Sequence, residues 1–525
     1  MMSKFKKCCM VSALVFVLLG VSIPQALSAE KNSMTIVGPV EAVTLDVIRS
    51  TNTSNALVMS QIFEPLLAWN EAITDVIPSV ALSVTLSKDP KMWVAKIRPG
   101  IKAHNGEVID AEDVAWSIND TINPDSNAFG MKWVQGNSKI EKAVVIDPLT
   151  VHIYTTTPNP VLRQFLPRWY VRPKDYYSTL PIEEHSIKPV GSGPYKLTEF
   201  FKGSRIVLDE YKGWWGGEVD VKQLVWRPVP EESARVAELN TGGADVITHI
   251  SPDQHSRIDT KVANMHAIQG ARKIYIQFNF TEHKETALIQ DKRVRQALNY
   301  GMDFQKILDN LLGPGVGQKQ GTFIVAPYSH PDIKAFPYDP KKALALMKEA
   351  GYYDRNGDGF VDLSDGKRFE LTLQYSRNTF LKDSEIVQAL CAEWQKTGIF
   401  VQPEPVEKSV LRAATRKRGL QSAMTFRGSG FSQTGQGDVS QFCSFSTNYG
   451  YWVNEDFDKN WTALSLSFDD KERKEYSYNL EKIMQEECPI VFLYMQVDYY
   501  GISNRVDIKP TPIEYIWYHR AKWAK

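Results

Sequence analysis

The sequence predicts an α/β protein, strands and helices interspersed, divided into two or three lobes. Three observations lead there. At 525 residues the chain is too long for one ordinary hydrophobic core. With 43% hydrophobic and 23% charged residues it has the composition of a soluble globular protein. Strand-like alternation and helix-like periodicity follow one another along the chain, most sharply between Trp93 and Ile118.

That segment shows how the elements are read. Val94 to Ile97 alternates polar and apolar and stops at Arg98-Pro99-Gly100, as a strand does. A short extended piece then runs into an Asn105-Gly106 turn. Asp110 sits where a helix N-cap belongs. Asp113, three residues on, is an acidic variant of the capping box. Val114, Ala115 and Ile118 give the helix that follows one apolar face.

The same reading continues along the chain. Met34 to Val37 is the opening strand, and a polar stretch from Arg49 to Asn55 leads into a helix ending near Gln61-Ile62-Phe63. Lys142 to Tyr154 alternates and turns at Asp147-Pro148, a hairpin pattern. Gly191-Ser192-Gly193-Pro194 is dense in turn residues between two structured regions. Gln223 to Arg227 reads as a strand and Glu231 to Asn240 as a helix. Asp291 to Asp303 reads as a basic amphipathic helix, and Tyr338-Asp339-Pro340 opens another helix that ends at Ala350-Gly351. Phe369 to Tyr375 is strand-like, and Cys391 lies on an amphipathic helix as a buried small hydrophobe. No fixed-period repeat appears.

The first 29 residues have the form of a cleaved secretory signal. Lys4, Lys6 and Lys7 precede an apolar run, Met10 to Ile23, that is short for a membrane span. Small residues at Ala26 to Ala29 suit cleavage. Cys8 and Cys9 lie before the apolar run rather than after it, which argues against lipidation. Loss of the three lysines leaves 58 basic against 61 acidic residues, with no basic excess of the kind nucleic acid demands. The remaining cysteines, Cys391, Cys443 and Cys488, are odd in number, so at most one disulfide forms; Cys443 with Cys488 is a possible pair. The 13 Trp, 22 Tyr and 23 Phe supply both cores and pocket walls for an organic ligand.

Trp93 to Ile118, Gly191 to Tyr195, Tyr211 to Gly217, Gly242 to Val246, Asp291 to Asp303 and Tyr338 to Ala343 fall in an order that resembles the periplasmic oligopeptide- and dipeptide-binding proteins, solute-binding protein family 5 of ABC importers. The resemblance covers essentially the whole chain after the leader. It implies a two-lobed periplasmic-binding-protein fold with an additional inserted domain and hinge closure over the ligand. The implied division is a signal peptide at 1–29, a discontinuous domain I at 30–64, 189–280 and 500–525, an inserted domain II at 65–188, and domain III at 281–499. It also implies a periplasmic monomer that is not an enzyme. Its partners would be a small-molecule or peptide ligand and the permease transmembrane subunits with their cytoplasmic ATPase. No cofactor is required.

The resemblance further implies a ligand site. Thr51 and Asn52, after Leu45-Asp46, match cleft-lining positions, and Arg377 matches an arginine that holds a ligand carboxylate, which a guanidinium can do in bidentate fashion. Peptide binders of the family carry Gly-Trp-x-x-Asp to receive the peptide amine. Here the chain reads Gly430-Phe431-Ser432-Gln433-Thr434, so Phe431 replaces the Trp and Gln433 or Thr434 replaces the Asp. A neutral amide does not offset a buried ammonium as a carboxylate does. With Arg427, this loop suits an opine or a sugar-phosphate conjugate; a shifted loop in which Asp438 serves returns it to peptides.

Two further patterns carry chemistry. Asp354, Asn356, Asp358, Phe360, Asp362 and Asp365 have the spacing of a calcium loop, with Gly359 at its sharp turn. The Asp in the last position and the strand that follows leave structural calcium and a plain solvated turn both open. Gly430 to Thr434 begins like a nucleophile elbow but lacks its final glycine, and no other catalytic constellation appears, so a secreted hydrolase is the outside alternative.

Overall fold

The computed structural model describes residues 32–50, 53–417, 419–420, 422–430, 432, 434–446 and 450–524. A ten-stranded mixed sheet runs through the molecule. Its strands, in spatial order, are Phe400–Pro405, Glu370–Tyr375, Met424–Ser429, Ala263–Phe278, Ile490–Ser503, Val246–Thr248, Ser33–Gly38, Gln223–Pro228, Arg205–Glu210 and Tyr195–Phe201. A separate four-stranded sheet, Ala81–Leu86, Met92–Ile97, Thr150–Thr155 and Ile140–Asp147, lies wholly between residues 65 and 188.

The elements form for the reasons their residues suggest. Asp110 caps the helix Ala111–Ile122 by accepting from Glu112 N at 2.7 Å, and Asp113 accepts from Asp110 N at 2.8 Å. The hairpin around Pro148 pairs Ala143 with Ile153 and Val145 with Val151. The chain returns from the small sheet through Gly191 and Gly193. A Cβ on Gly193 would stand 2.6 Å from the Gln61 carbonyl oxygen, so only glycine lets this segment lie on the end of the helix Thr53–Ile62.

Glu64 marks the same junction. Its carboxylate accepts from the indole nitrogens of Trp214, at 3.0 Å, and Trp215. The Arg98 guanidinium lies 4.0 Å over the Trp215 ring. Burial pushes the Glu64 carboxyl up to about 7.

In the other half, Glu370–Tyr375 and Phe400–Pro405 run parallel, joined by the helix Asp383–Lys396. Parallel neighbours need such a crossover. The helix buries Ile386, Val387, Leu390, Cys391 and Trp394 against the sheet. The segment expected as a basic amphipathic helix is Lys292–Tyr300, and one of its basic residues is inside. Arg295 is buried and donates to the carbonyls of Ile289, Gln290, Glu487 and Cys488. Cys391, Cys443 and Cys488 are all buried and unbridged, so the possible Cys443–Cys488 pair is not formed.

Two long strands unite the halves. Residues 263–269 of one pair with 497–503 of the other on one side, and 273–277 with 490–495 on the other side. Between these runs the register breaks, with 270–272 set out of the ladder. A Cβ on Gly270 would meet the Gln496 carbonyl at 2.5 Å and an Asp498 carboxylate oxygen at 2.7 Å. The crossing between the two halves is therefore tight at this glycine.

Candidate functional site: the cleft at the strand ends

Both halves of the large sheet turn the carboxyl ends of parallel strands toward that break. Ser33–Gly38 is parallel to Gln223–Pro228 and to Val246–Thr248, and Thr248 lies opposite Tyr500 on the long strand. From the other side, Glu370–Tyr375, Phe400–Pro405 and Met424–Ser429 are mutually parallel, and Ser429 lies opposite Lys273. Loops leaving the carboxyl ends of such strands are where open α/β sheets bind ligands, because there the chain is free of the ladder and its N–H groups are available. Here two sets of ends face one another across the break.

The first half contributes a small pocket of about 40 Å³, lined by Pro39, Val40, Leu57, Trp226, Thr248 and His249. Pro39, Val40, Leu57 and Trp226 give it apolar walls, beside the charged Glu41, Arg205 and Arg227. At the break itself, Arg272 Nε donates to Glu514 Oε1 at 2.8 Å, and Gln496 Nε2 donates to Asp498 Oδ1 at 2.8 Å. Burial, followed by the neighbouring Glu514 carboxylate, pushes Asp498 up to about 7. These four residues form no recognisable sequence motif. Their signal was polar Gln496 and Asp498 alternating inside the otherwise apolar run from Ile490 to Ile502.

The opposite half contributes Arg377. It follows the strand Glu370–Tyr375 by two residues, is exposed, and has no ion-pair or hydrogen-bond partner among the described residues. Its loop is tied down by Asp383, whose carboxylate accepts from Asn378 N at 3.3 Å, Thr379 N at 2.7 Å and Phe380 N at 3.0 Å. Gly430 follows the neighbouring strand Met424–Ser429, with open space where a Cβ would be. Arg427 lies within that strand, opposite Tyr275, rather than in the loop beyond it.

Asp438 stands apart from these groups. It is buried at the start of the short helix Gln436–Val439, ion-paired with Lys273, and accepts from Gly435 N at 3.2 Å. Burial pushes its carboxyl up to about 6 against the pull of Lys273. Its charge is thus already answered from within the protein. Thr51, Asn52, Phe431 and Gln433 lie outside the described residues.

The calcium-spaced loop does not converge on a common point. Asp354 accepts from Gly357 N at 2.7 Å and Gly359 N at 3.0 Å, and Asn356 from Asp358 N at 2.8 Å. Asp358 accepts from Phe360 N and pairs with Arg368, Asp362 is buried and accepts from Arg355 N, and Asp365 pairs with Lys367. Among the described residues no group of three or more His, Cys, Asp or Glu side chains gathers as metal ligands. In this arrangement the carboxylates are engaged by the loop's own N–H groups and by Arg368 and Lys367, as in self-capped turns.

The sequence profile of bacterial extracellular solute-binding proteins, family 5 (middle region), matches residues 75–450. The chain belongs to that family. The oligopeptide-binding protein AppA of Bacillus subtilis is 27% identical over 90% of this chain and 88% of its own length. The dipeptide-binding protein of Escherichia coli is 24% identical over 82% of this chain and 83% of its own. Among solved structures, NikA of Brucella suis, in complex with Fe(III)-EDTA, superposes with a TM-score of 0.84 at 22% identity, covering 94% of this chain and all of that one. The family is one of extracellular binding proteins rather than enzymes. No helix among the described residues of this family 5 protein is long and apolar enough to cross a membrane. The expected signal peptide at 1–29 lies outside the described residues.

Proposed function

We propose that this family 5 protein captures a di- or oligopeptide-like solute in the cleft and delivers it to the transmembrane subunits of an ABC importer in the periplasm. The observation that carries the peptide-like reading is Arg377, an exposed guanidinium without a described partner, held on a fixed loop at the carboxyl end of its strand. Such a group takes a carboxylate in two parallel charge-assisted bonds. The relatives named for oligopeptides and dipeptides bind ligands that all carry one.

One observation favours a second ligand class. Between Phe426 and Phe442 the only acidic residue is Asp438, and Lys273 neutralises it. A loop without a spare carboxylate suits an opine or a sugar-phosphate conjugate better than a free peptide amine. A thermal-shift screen with di- to pentapeptides beside opines and sugar phosphates separates the two, since a ligand that binds only the native state raises the melting temperature. Stabilisation by peptides supports the first reading, and stabilisation by the other set alone replaces it with the second. Conversion of a ligand during incubation would instead support the hydrolase alternative.

A further inference from the structure

The loop between Ser376 and Lys382 touches the other half of the molecule as well as the cleft. Lys382 Nζ reaches Asp253 Oδ2 at 2.5 Å. Asp253 belongs to the short turn Pro252–Arg257, which follows the first-half strand Val246–Thr248. Lys382 belongs to the opposite half, at the start of the helix Asp383–Lys396. The lysine side chain is only 10% exposed, whereas the aspartate is 66% exposed, so the lysine is drawn across the gap and screened by both halves. Leu381 beside it packs against two apolar clusters at once. One contains Ile386 and Leu390 of its own half, and the other Val236 and Ile247 of the first half.

The loop is a rigid piece. Asn378 and Lys382 both have left-handed backbones, with φ of 56° and 51°. That conformation is costly for residues with a Cβ and persists only where the surroundings impose it. The Asp383 carboxylate does so through its three backbone N–H partners, and Phe380 packs at 5.9 Å from Phe426 on the sheet. Arg377 lies at one end of this piece and Lys382 at the other.

We propose that Lys382 and Asp253 form the latch that favours the closed arrangement of the two halves, and that Asp383 is a positioning residue that links this latch to Arg377. An anion held by Arg377 would then bring the latch into register, so that capture and closure are one event. That last clause rests on the reading of Arg377 above; the latch itself does not.

The test uses the ligand-free protein with nitroxide labels at Lys202→Cys and Lys348→Cys, exposed positions in the two halves. The ratio of short to long label distances reports closed against open. Lys382→Met and Asp253→Asn should each lower that ratio about three- to fivefold, the range of a single partly exposed ion pair. The double swap Lys382→Asp with Asp253→Lys should restore it. Raising salt from about 0.05 M to about 1 M should lower the ratio in the parent protein and not in Lys382→Met. Asp383→Asn should lower the ratio, whereas Asp354→Ala, which also removes a loop carboxylate that accepts backbone N–H groups, should leave it unchanged, a difference that a merely structural role would not produce. An unchanged ratio in both single variants, or a swap that fails to restore it, overturns the latch. An unchanged ratio in Asp383→Asn overturns the positioning role. Arg377→Ala should leave the ligand-free ratio as it was, so a failure of the carboxylate reading shows in ligand binding while the latch result stands.

Discussion

Lys273 and Asp438 face each other as an ion pair from which water is almost wholly removed, with side-chain exposures of 6% and 0%. Lys273 leaves the long strand at the break in register, and Asp438 starts a short helix after the loop that would otherwise be the ligand's amine acceptor. The pair braces that short helix against the crossing strands.

Breaking the pair from one side should therefore cost more than removing it. Lys273→Met leaves a buried carboxylate without its cation, a loss of about 3–5 kcal/mol. Lys273→Met with Asp438→Leu should recover most of that. Equilibrium denaturation of the three variants checks this. Equal losses in the single and double variants would mean the pair is not the brace.

Arg377→Ala should weaken the best carboxylate ligand of the thermal-shift panel by about 1.5–3 kcal/mol, a ten- to hundredfold loss, with circular dichroism unchanged. Arg377→Lys should restore only part of it, because an ammonium lacks the guanidinium fork. Calorimetric titration gives both numbers. Unaltered affinity in Arg377→Ala would remove this residue from the site.

The loop at Asp354 should ignore calcium. Neither added calcium nor a chelator should move the melting temperature, whereas Asp354→Ala should lower stability by about 1 kcal/mol or less through loss of the Gly357 and Gly359 N–H bonds. A melting temperature that rises with calcium concentration would restore the cation reading.

Glu64 gives the protein an acid-favoured junction. Its folded-state carboxyl lies at about 7 against an ordinary 4.5, so the protonated form is favoured in the folded protein. Its contribution is fully present below 4.5 and is lost as pH rises through about 7. The loss is on the order of 3 kcal/mol at most. Glu64→Gln, which carries no titrating proton, should flatten the stability profile in that window. An identical slope in parent and variant would show that Glu64 is ionised throughout.

Much of the architecture was legible in the chain because it rests on local chemistry. Asp110 and Asp113 announce a capped helix, Asp147-Pro148 a hairpin, and Gly191 and Gly193 a place where backbones touch. The family resemblance rested on the order of such segments, and the fold agrees with it. The site was less legible. In sequence Asp438 is one of two readings of the amine acceptor, and Asp354 to Asp365 are open between cation ligands and a solvated turn. Neither reading includes the partner supplied by Lys273, Arg368 or Lys367.

The sequence by itself determined the class of the protein, its strand and helix segments, and Arg377 as a candidate anchor. The strand and helix segments follow from side-chain periodicity, capping and turn residues, which act over a few positions; Arg377 as an anchor is what the family resemblance implies. Only the tertiary structure decided which charges are spent. Lys273 meets Asp438 across 165 positions, and Lys382 meets Asp253 across 129. It also revealed the paired carboxyl ends of strands that make the cleft. A charge is neutralised by whatever lies within a few ångströms of it, and sheet pairing, not sequence distance, sets what that is.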